Sequence, residues 1–351
     1  MTQDPFIHVW AYNTKIFNYA ETVANIIDAA HKHDTVNLTF KQEGVAIEKL
    51  TYLDKPLIEI LKAICHANDW PLSKFVFHTG NLIQDRSVWP TIEFLSGIDM
   101  PLESNCWLYG QKVNHLPQKN IKYHFGCFVN GSNWSRLYLS AYLYHKHHDK
   151  TLQTFRRDVN DPAHMVNLDL DQMMMNFSQH GKITEDTMQM LSSFIPNIPI
   201  ERSKDKNILQ QQHVRWNKGA YGSELLGWYD MIFVDVVCET YFSGQTFSPT
   251  EKTFRTFMAK TPFIAMGPAG HLTNLKKLGF KTFSSLWDES YDHLEGVQRI
   301  DAIEQLLEHI GSKDVETLKK MQESVSDVLE HNHKTYYELT AEHIFNTFGI
   351  Q

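Results

Sequence analysis

The sequence predicts an α/β protein, and three features predict it. Short apolar runs of strand length alternate with amphipathic stretches of helix length, and loops of small residues join them. Strands and helices that alternate with short connections argue for parallel sheets. Residues 6–11 read as a strand, 16–33 as a helix and 35–40 as a second strand. Residues 56–68 carry Ile58, Ile60, Leu61, Ile64 and Cys65 along a helical stripe leading to a strand at 74–78. The loop Thr79-Gly80-Asn81-Leu82 follows, then a helix near 88–94 and a less regular connection over 101–118.

The second half repeats the pattern. Residues 123–130 read as a strand, Gly131-Ser132-Asn133 as a tight turn, and 134–148 as a helix with Leu137, Tyr138, Ala141, Tyr142 and Tyr144 among its apolar positions. Residues 230–238 are apolar on both alternations, as in a strand covered on both faces. Ser248, Pro249 and Thr250 then offer an N-cap and a proline for a first helical turn. In the helix that follows, Phe254, Phe257 and Met258 form the buried stripe, while Lys252 and Arg255 share a different face. The apolar segment 262–267 and a short helix come next, and helices over 302–310, 314–331 and 335–348 complete the chain. At 351 residues the chain exceeds what one core usually supports, so two domains are expected, with 117–120 as the linker.

Two of these junctions carry chemistry. A strand, a small-residue loop and a helix N-terminus form a unit that cradles phosphate, because free backbone N–H groups and the helix dipole attract anions. The first junction places Arg136 in the opening turn; the second opens on Glu251 and Lys252, with Arg255 three residues further on. Neither loop is a GxGxxG or a P-loop. On the residues alone, Glu251 could equally complement the dipole, Lys252 could be a solvated charge, and Arg136 could form a surface ion pair.

Taken together, the two clusters resemble the donor-binding domain of GT-B glycosyltransferases, most specifically the fucosyltransferase-like branch with its Thr-Glu-Lys signature. The matching positions are Arg136, Thr250, Glu251 and Lys252, followed by the proline, apolar strand and glycine of 262–267; the resemblance spans roughly 120–300. The branch has Glu-Asn-Ser where this chain has Cys238-Glu239-Thr240, so base and sugar stay open. The resemblance implies two Rossmann-like domains facing a cleft. The acceptor-side domain would take 1–118, the nucleotide-sugar domain 120–329, and the helix within 330–351 would cross back to the first. Arg136 and Lys252 would neutralise the diphosphate, and Glu251 would accept from ribose hydroxyls. Gly131, Ser132, Asn133, Thr250 and Arg255 would complete the donor site.

The implied function is transfer of a sugar from a nucleotide-diphosphate sugar to an acceptor hydroxyl on a glycan, a lipopolysaccharide or a modified DNA base. An epimerase or hydrolase acting on the nucleotide sugar is the related alternative, and a noncatalytic nucleotide-sugar binder the more distant one. An inverting transfer needs a general base. His78 and Asp85 are the candidates from the first domain, and Glu239, on the loop after the 230–238 strand, is placed to orient sugar hydroxyls.

Composition narrows the partners. A net charge of −8 and a pI near 6.2 disfavour nucleic acid as a general partner, although Lys204, Lys206, Arg215 and Lys218 with Trp216 and Tyr221 form one basic zone. Cys65, Cys106, Cys127 and Cys238 have no CxxC spacing and read as reduced core thiols of a cytoplasmic protein. Met173, Met174, Met175 and Phe177 read as core, and Asp169 and Asp171 as helix-start caps in preference to a metal-holding DxD. His145, His147 and His148 suit a helix C-terminus and lack a ligand set, so no metal is expected and no cofactor beyond the donor. Neither a leader nor an apolar run of membrane-spanning length is expected.

Overall fold

The structure, a computed structural model, describes residues 6–8, 19–39, 44, 46–52, 55–94, 119–129, 133–155, 183–200 and 227–350. It is a mixed α/β protein with two parallel sheets. The chain forms two compact units. One comprises Met1–Leu102, Gly244–Ser248 and Ala341–Gln351, the other Glu103–Ser243 and Pro249–Thr340.

The first unit contains β1 (Phe6–His8), α1 (Tyr19–Lys32), β2 (Val36–Thr39), a β3–β4 hairpin (Thr51–Tyr52 and Lys55–Pro56), α2 (Leu57–Asn68), β5 (Phe75–Thr79) and β6 (Ile92–Phe94). Its sheet has the order β1-β2-β5-β6 with every pairing parallel. Leu57, Leu61 and Cys65 form the buried stripe of α2. The helix expected near 88–94 is instead a single 3-10 turn, Arg86–Val88, followed by β6. Ile92, Glu93 and Phe94 alternate apolar, polar, apolar, which suits an edge strand better than one helical turn.

Residues Gly244–Ser248 are held in this first unit by backbone-like pairing. Phe247 donates its N–H to Asn81 Oδ1 at 2.9 Å, its carbonyl accepts from Leu82 N at 2.9 Å, and Asn81 Nδ2 donates to the Gln245 carbonyl at 3.1 Å. The Thr246 hydroxyl donates to the Gly44 carbonyl. A Cβ on Gly44 would lie 2.3 Å from Ser248 Cβ, so only glycine lets the two segments approach this closely.

The second unit contains β7 (Tyr123–Val129), α3 (Trp134–His147), β8 (Thr151–Phe155), α4 (Glu185–Phe194), β9 (Ile232–Cys238), α5 (Glu251–Met258), β10 (Phe263–Met266), α6 (His271–Lys277), α7 (Gly296–Gly311), α8 (Val315–Ser324) and α9 (Ser326–Glu338). A last helix, α10 (Ala341–Phe348), belongs to the first unit. The sheet order is β10-β9-β7-β8, all parallel. Strand alternation puts His124 and Cys127 on opposite faces of β7. Cys127 Sγ meets Ser140 of α3 at 3.7 Å, whereas His124 Nε2 meets the Lys313 carbonyl before α8 at 2.7 Å, so helical segments flank both faces.

Strand β8 is not evident from pattern, because Thr151, Gln153 and Thr154 make it polar although all five residues are buried. The single helix expected over 314–331 is broken at Val325, and α7 begins at Gly296, ahead of the expected 302. The methionine-rich stretch, the Asp169 and Asp171 pair, the basic zone with Trp216 and Tyr221, and Cys106 lie outside the described residues. Cys65, Cys127 and Cys238 are buried free thiols.

Candidate functional site

In the second sheet β8 lies on one side of β7 and β9 on the other, so the chain turns one way from β7 to β8 and the opposite way from β9 to β10. The carboxyl ends of β7 and β9 therefore mark the topological switch point, the place where open parallel sheets bind ligands. Three helices, α3, α5 and α6, begin at this edge, after β7, β9 and β10 respectively.

Asn133 caps α3. Its Oδ1 accepts from Arg136 N at 2.9 Å and Ser135 Oγ at 2.9 Å, and its Nδ2 donates to the Thr240 carbonyl at 3.0 Å. The same side chain thus ends one loop and ties it to the loop leaving β9. No residue of α3's own first turn is acidic, and a helix start of this kind favours an anion. Arg136, in that turn, is only 4% exposed. Its charge acts on Cys238 at the end of β9: the hydrogen bond with Cys127 and burial push that thiol up, and Arg136 pulls it the other way. Gly131 and Ser132 lie outside the described residues.

Thr250 caps α5, and Pro249 precedes the cap, so the proline does not open the helix as expected. Glu239, 2% exposed, reaches beneath this turn. Its Oε2 accepts from Thr250 Oγ1 at 2.6 Å, and its Oε1 accepts from Thr250 N at 3.2 Å and Thr253 Oγ1 at 2.5 Å. Lys252, half-buried, donates from Nζ to Thr250 Oγ1 at 3.2 Å and from its backbone N–H to the same oxygen at 3.3 Å. Glu251 opens the helix beside it. His271 Nε2 lies 3.3 Å from Thr253 Oγ1. Because the Thr253 proton goes to Glu239, the imidazole must be the donor in that contact. Burial holds His271 below its ordinary range, against the opposing charges of Glu239 and Asp292 and with the help of Arg299.

The start of α6 is already filled. Asp292 accepts from Leu272 N at 2.9 Å, Thr273 N at 2.9 Å and Thr273 Oγ1 at 2.8 Å. Arg299, fully buried, donates to the carbonyls of Tyr291 at 2.9 Å and Asp292 at 3.1 Å, which locks that turn.

Arg255 corrects the sequence expectation. It does not share an outward face with Lys252; it is 5% exposed and its charge faces Asp235 and Tyr229 in the core. Tyr229 donates its hydroxyl to Asp235 Oδ2 at 2.6 Å, and Lys119 Nζ donates to the Tyr229 carbonyl at 2.8 Å and Thr261 Oγ1 at 2.5 Å. Burial raises Asp235 to about 6 and lowers Lys119 to about 7. A buried carboxylate inside β9 needs a nearby cation, which accounts for the inward turn of Arg255.

The other two catalytic candidates lie in the first unit. His78, buried on β5, donates from Nε2 to Asn37 Oδ1 at 2.7 Å and has Nδ1 3.5 Å from Glu93 Oε2. Burial lowers its pKa and Glu93 opposes the shift. Asp85 is exposed and caps the Arg86–Val88 turn through Ser87 N at 2.8 Å. The backbone and side-chain hydrogen bonds from Ser87 lower its pKa, which makes it a weak base.

Thr253, His271, Asp292 and Asp235 belong to no site motif in the sequence. Only the Thr250-x-x-Thr253 spacing, with a hydroxyl at the cap and three residues on, was a usable local sign. Among the described residues no group of three His, Cys, Asp or Glu is arranged to hold a metal ion, and no helix is long and apolar enough to cross a membrane. Compared with models of known protein families, with curated proteins and with solved structures, the chain has no match.

Proposed function

We propose that the second unit binds a nucleotide-diphosphate sugar and that the protein transfers the sugar to an acceptor hydroxyl without requiring a metal. The observation carrying this reading is the start of α3 at the switch point: a neutral Asn133 cap, no first-turn acid, and Arg136 behind it. A helix start with a neutral cap and a cationic side chain in its first turn favours an anion there. The residues match the fucosyltransferase-like pattern at Arg136, Thr250, Glu251 and Lys252.

The site divides the work. Cleaving a sugar from a nucleotide diphosphate builds negative charge on the leaving phosphate, and preplaced donors lower that barrier. The start of α3 and Lys252 Nζ supply them. Arg136 contributes from beneath, through its charge, and Arg255 is committed to Asp235. Glu251, beside Lys252, is the candidate for the ribose hydroxyls. The two-domain GT-B arrangement, with the last helix returning to the first domain, is part of this proposal.

The test is Lys252→Ala. Nucleoside diphosphate affinity is expected to fall about tenfold or more, as for loss of one charge-assisted hydrogen bond, with sugar transfer falling alongside it. Unchanged affinity and transfer would remove Lys252 from the site. Product formed with no acceptor present would instead identify a hydrolase or epimerase.

A further inference from the structure

We propose that Glu239 is a positioning residue that sets the Lys252 ammonium through the Thr250 hydroxyl, and does not itself touch the sugar. The inference rests on the reading of Lys252 as a diphosphate ligand. A hydroxyl has one proton and two acceptor directions. In Thr250 the proton is committed to Glu239 Oε2 at 2.6 Å, so the oxygen's lone pairs are left for Lys252, whose Nζ lies at 3.2 Å and backbone N at 3.3 Å. A carboxylate can only accept here, so it dictates which way the hydroxyl turns, and the hydroxyl oxygen is then presented to the ammonium as an acceptor. The carboxylate is itself fixed: Oε1 takes Thr250 N and Thr253 Oγ1, and the Glu239 backbone N–H donates to the Met266 carbonyl at 3.1 Å. His271 supports Thr253 from the far side. At 2% exposure, with these donors occupying both oxygens, Glu239 is built into the wall beneath the turn.

This departs from a role for Glu239 in orienting sugar hydroxyls, and the two roles give different results. Glu239→Gln keeps the volume and removes the obligate acceptor; Thr250→Val removes the hydroxyl and leaves Glu239 intact. With the full-length protein, each variant is expected to lose about tenfold in affinity for inorganic pyrophosphate by calorimetry, while Thr250→Ser stays within about threefold of the parent. Adding Glu239→Gln to Lys252→Ala is expected to cause no further loss, because the carboxylate acts through the lysine. A second readout needs no ligand: acetylation of Lys252 by an activated ester, followed by peptide mass spectrometry against surface lysines, is expected to rise several-fold in Glu239→Gln and Thr250→Val.

Unchanged Lys252 labelling in folded Glu239→Gln would overturn the proposal. So would a loss of kcat in transfer with pyrophosphate affinity intact, since that places Glu239 on the sugar. If the parent protein binds neither pyrophosphate nor any nucleoside diphosphate, the nucleotide-sugar reading fails by itself, and the labelling result still decides the role of Glu239.

Discussion

At the scale of single residues, the second unit buries several ionisable side chains in its own core. Lys119 is the clearest case. Its pKa is lowered to about 7 by burial, against the attraction of Asp230 and Asp235. A lysine whose folded pKa lies below its unfolded value releases a proton on folding, so its contribution to stability is unfavourable below about pH 7 and improves as pH rises toward 10. Asp235, raised to about 6, has the opposite slope: its folded form favours the proton, so its contribution worsens as pH rises from about 4 to 6. Urea unfolding at pH 7, 8 and 9 is expected to show a rise of up to about 1.4 kcal/mol per pH unit from Lys119 alone, absent in Lys119→Met. The parent and variant having the same slope would mean that the ammonium is solvated.

At the scale of elements, helix starts decide where the candidate site lies. α3, α5 and α6 begin along one sheet edge, yet their first turns differ in chemistry: Asn133 is neutral, Thr250 is backed by the Glu239 carboxylate, and Asp292 fills the start of α6. Carboxylates are hydrogen-bonded into the starts of α5 and α6, whereas the cap of α3 is an uncharged amide. Asn133→Ala removes the cap and the tie to the Thr240 carbonyl together, an expected loss of about 2 kcal/mol in denaturant unfolding. Asn133→Asp is expected to keep the cap and yet weaken pyrophosphate binding, because a carboxylate repels the anion. Equal pyrophosphate affinity in Asn133→Asp and the parent would move the anion away from α3. The stripe on α5 was legible in sequence because helix periodicity is local: Phe254, Phe257 and Met258 are all buried, and Phe257 stacks on Phe280 with ring centroids 4.1 Å apart. The direction of Arg255 on the same helix was not legible, since it depends on Asp235 and Tyr229, distant in sequence.

At the scale of the whole molecule, the chain leaves the second unit after Ser243, contributes Gly244–Ser248 to the first, and returns at Pro249. Phe247, fully buried beside Phe348 with ring centroids 5.5 Å apart, is therefore a core residue of the first unit although it stands three positions before Thr250. A ligand that binds only the folded protein raises its stability, by about 2.7 kcal/mol at a hundredfold excess over Kd. Thermal unfolding with a panel of nucleoside diphosphates and nucleotide sugars is accordingly expected to select one base. A panel without any shift at millimolar concentrations would argue against a nucleotide site.

The sequence by itself determined the alternation of strands and helices, the buried character of β7, β9 and the α5 stripe, and the two βα junctions at Asn133 and Thr250. These follow from side-chain periods of two and 3.6 residues and from capping chemistry, all confined to a few neighbouring positions. Tertiary structure alone decided that β7 and β9 are adjacent, that Arg136 and Arg255 are buried, that Glu239 braces Thr250, and that Phe247 joins a different unit from the helix it precedes. The physical reason is that burying a charge or a carboxylate requires partners brought in from elsewhere in the chain, and strand order is set by those long-range pairings, which no local pattern encodes.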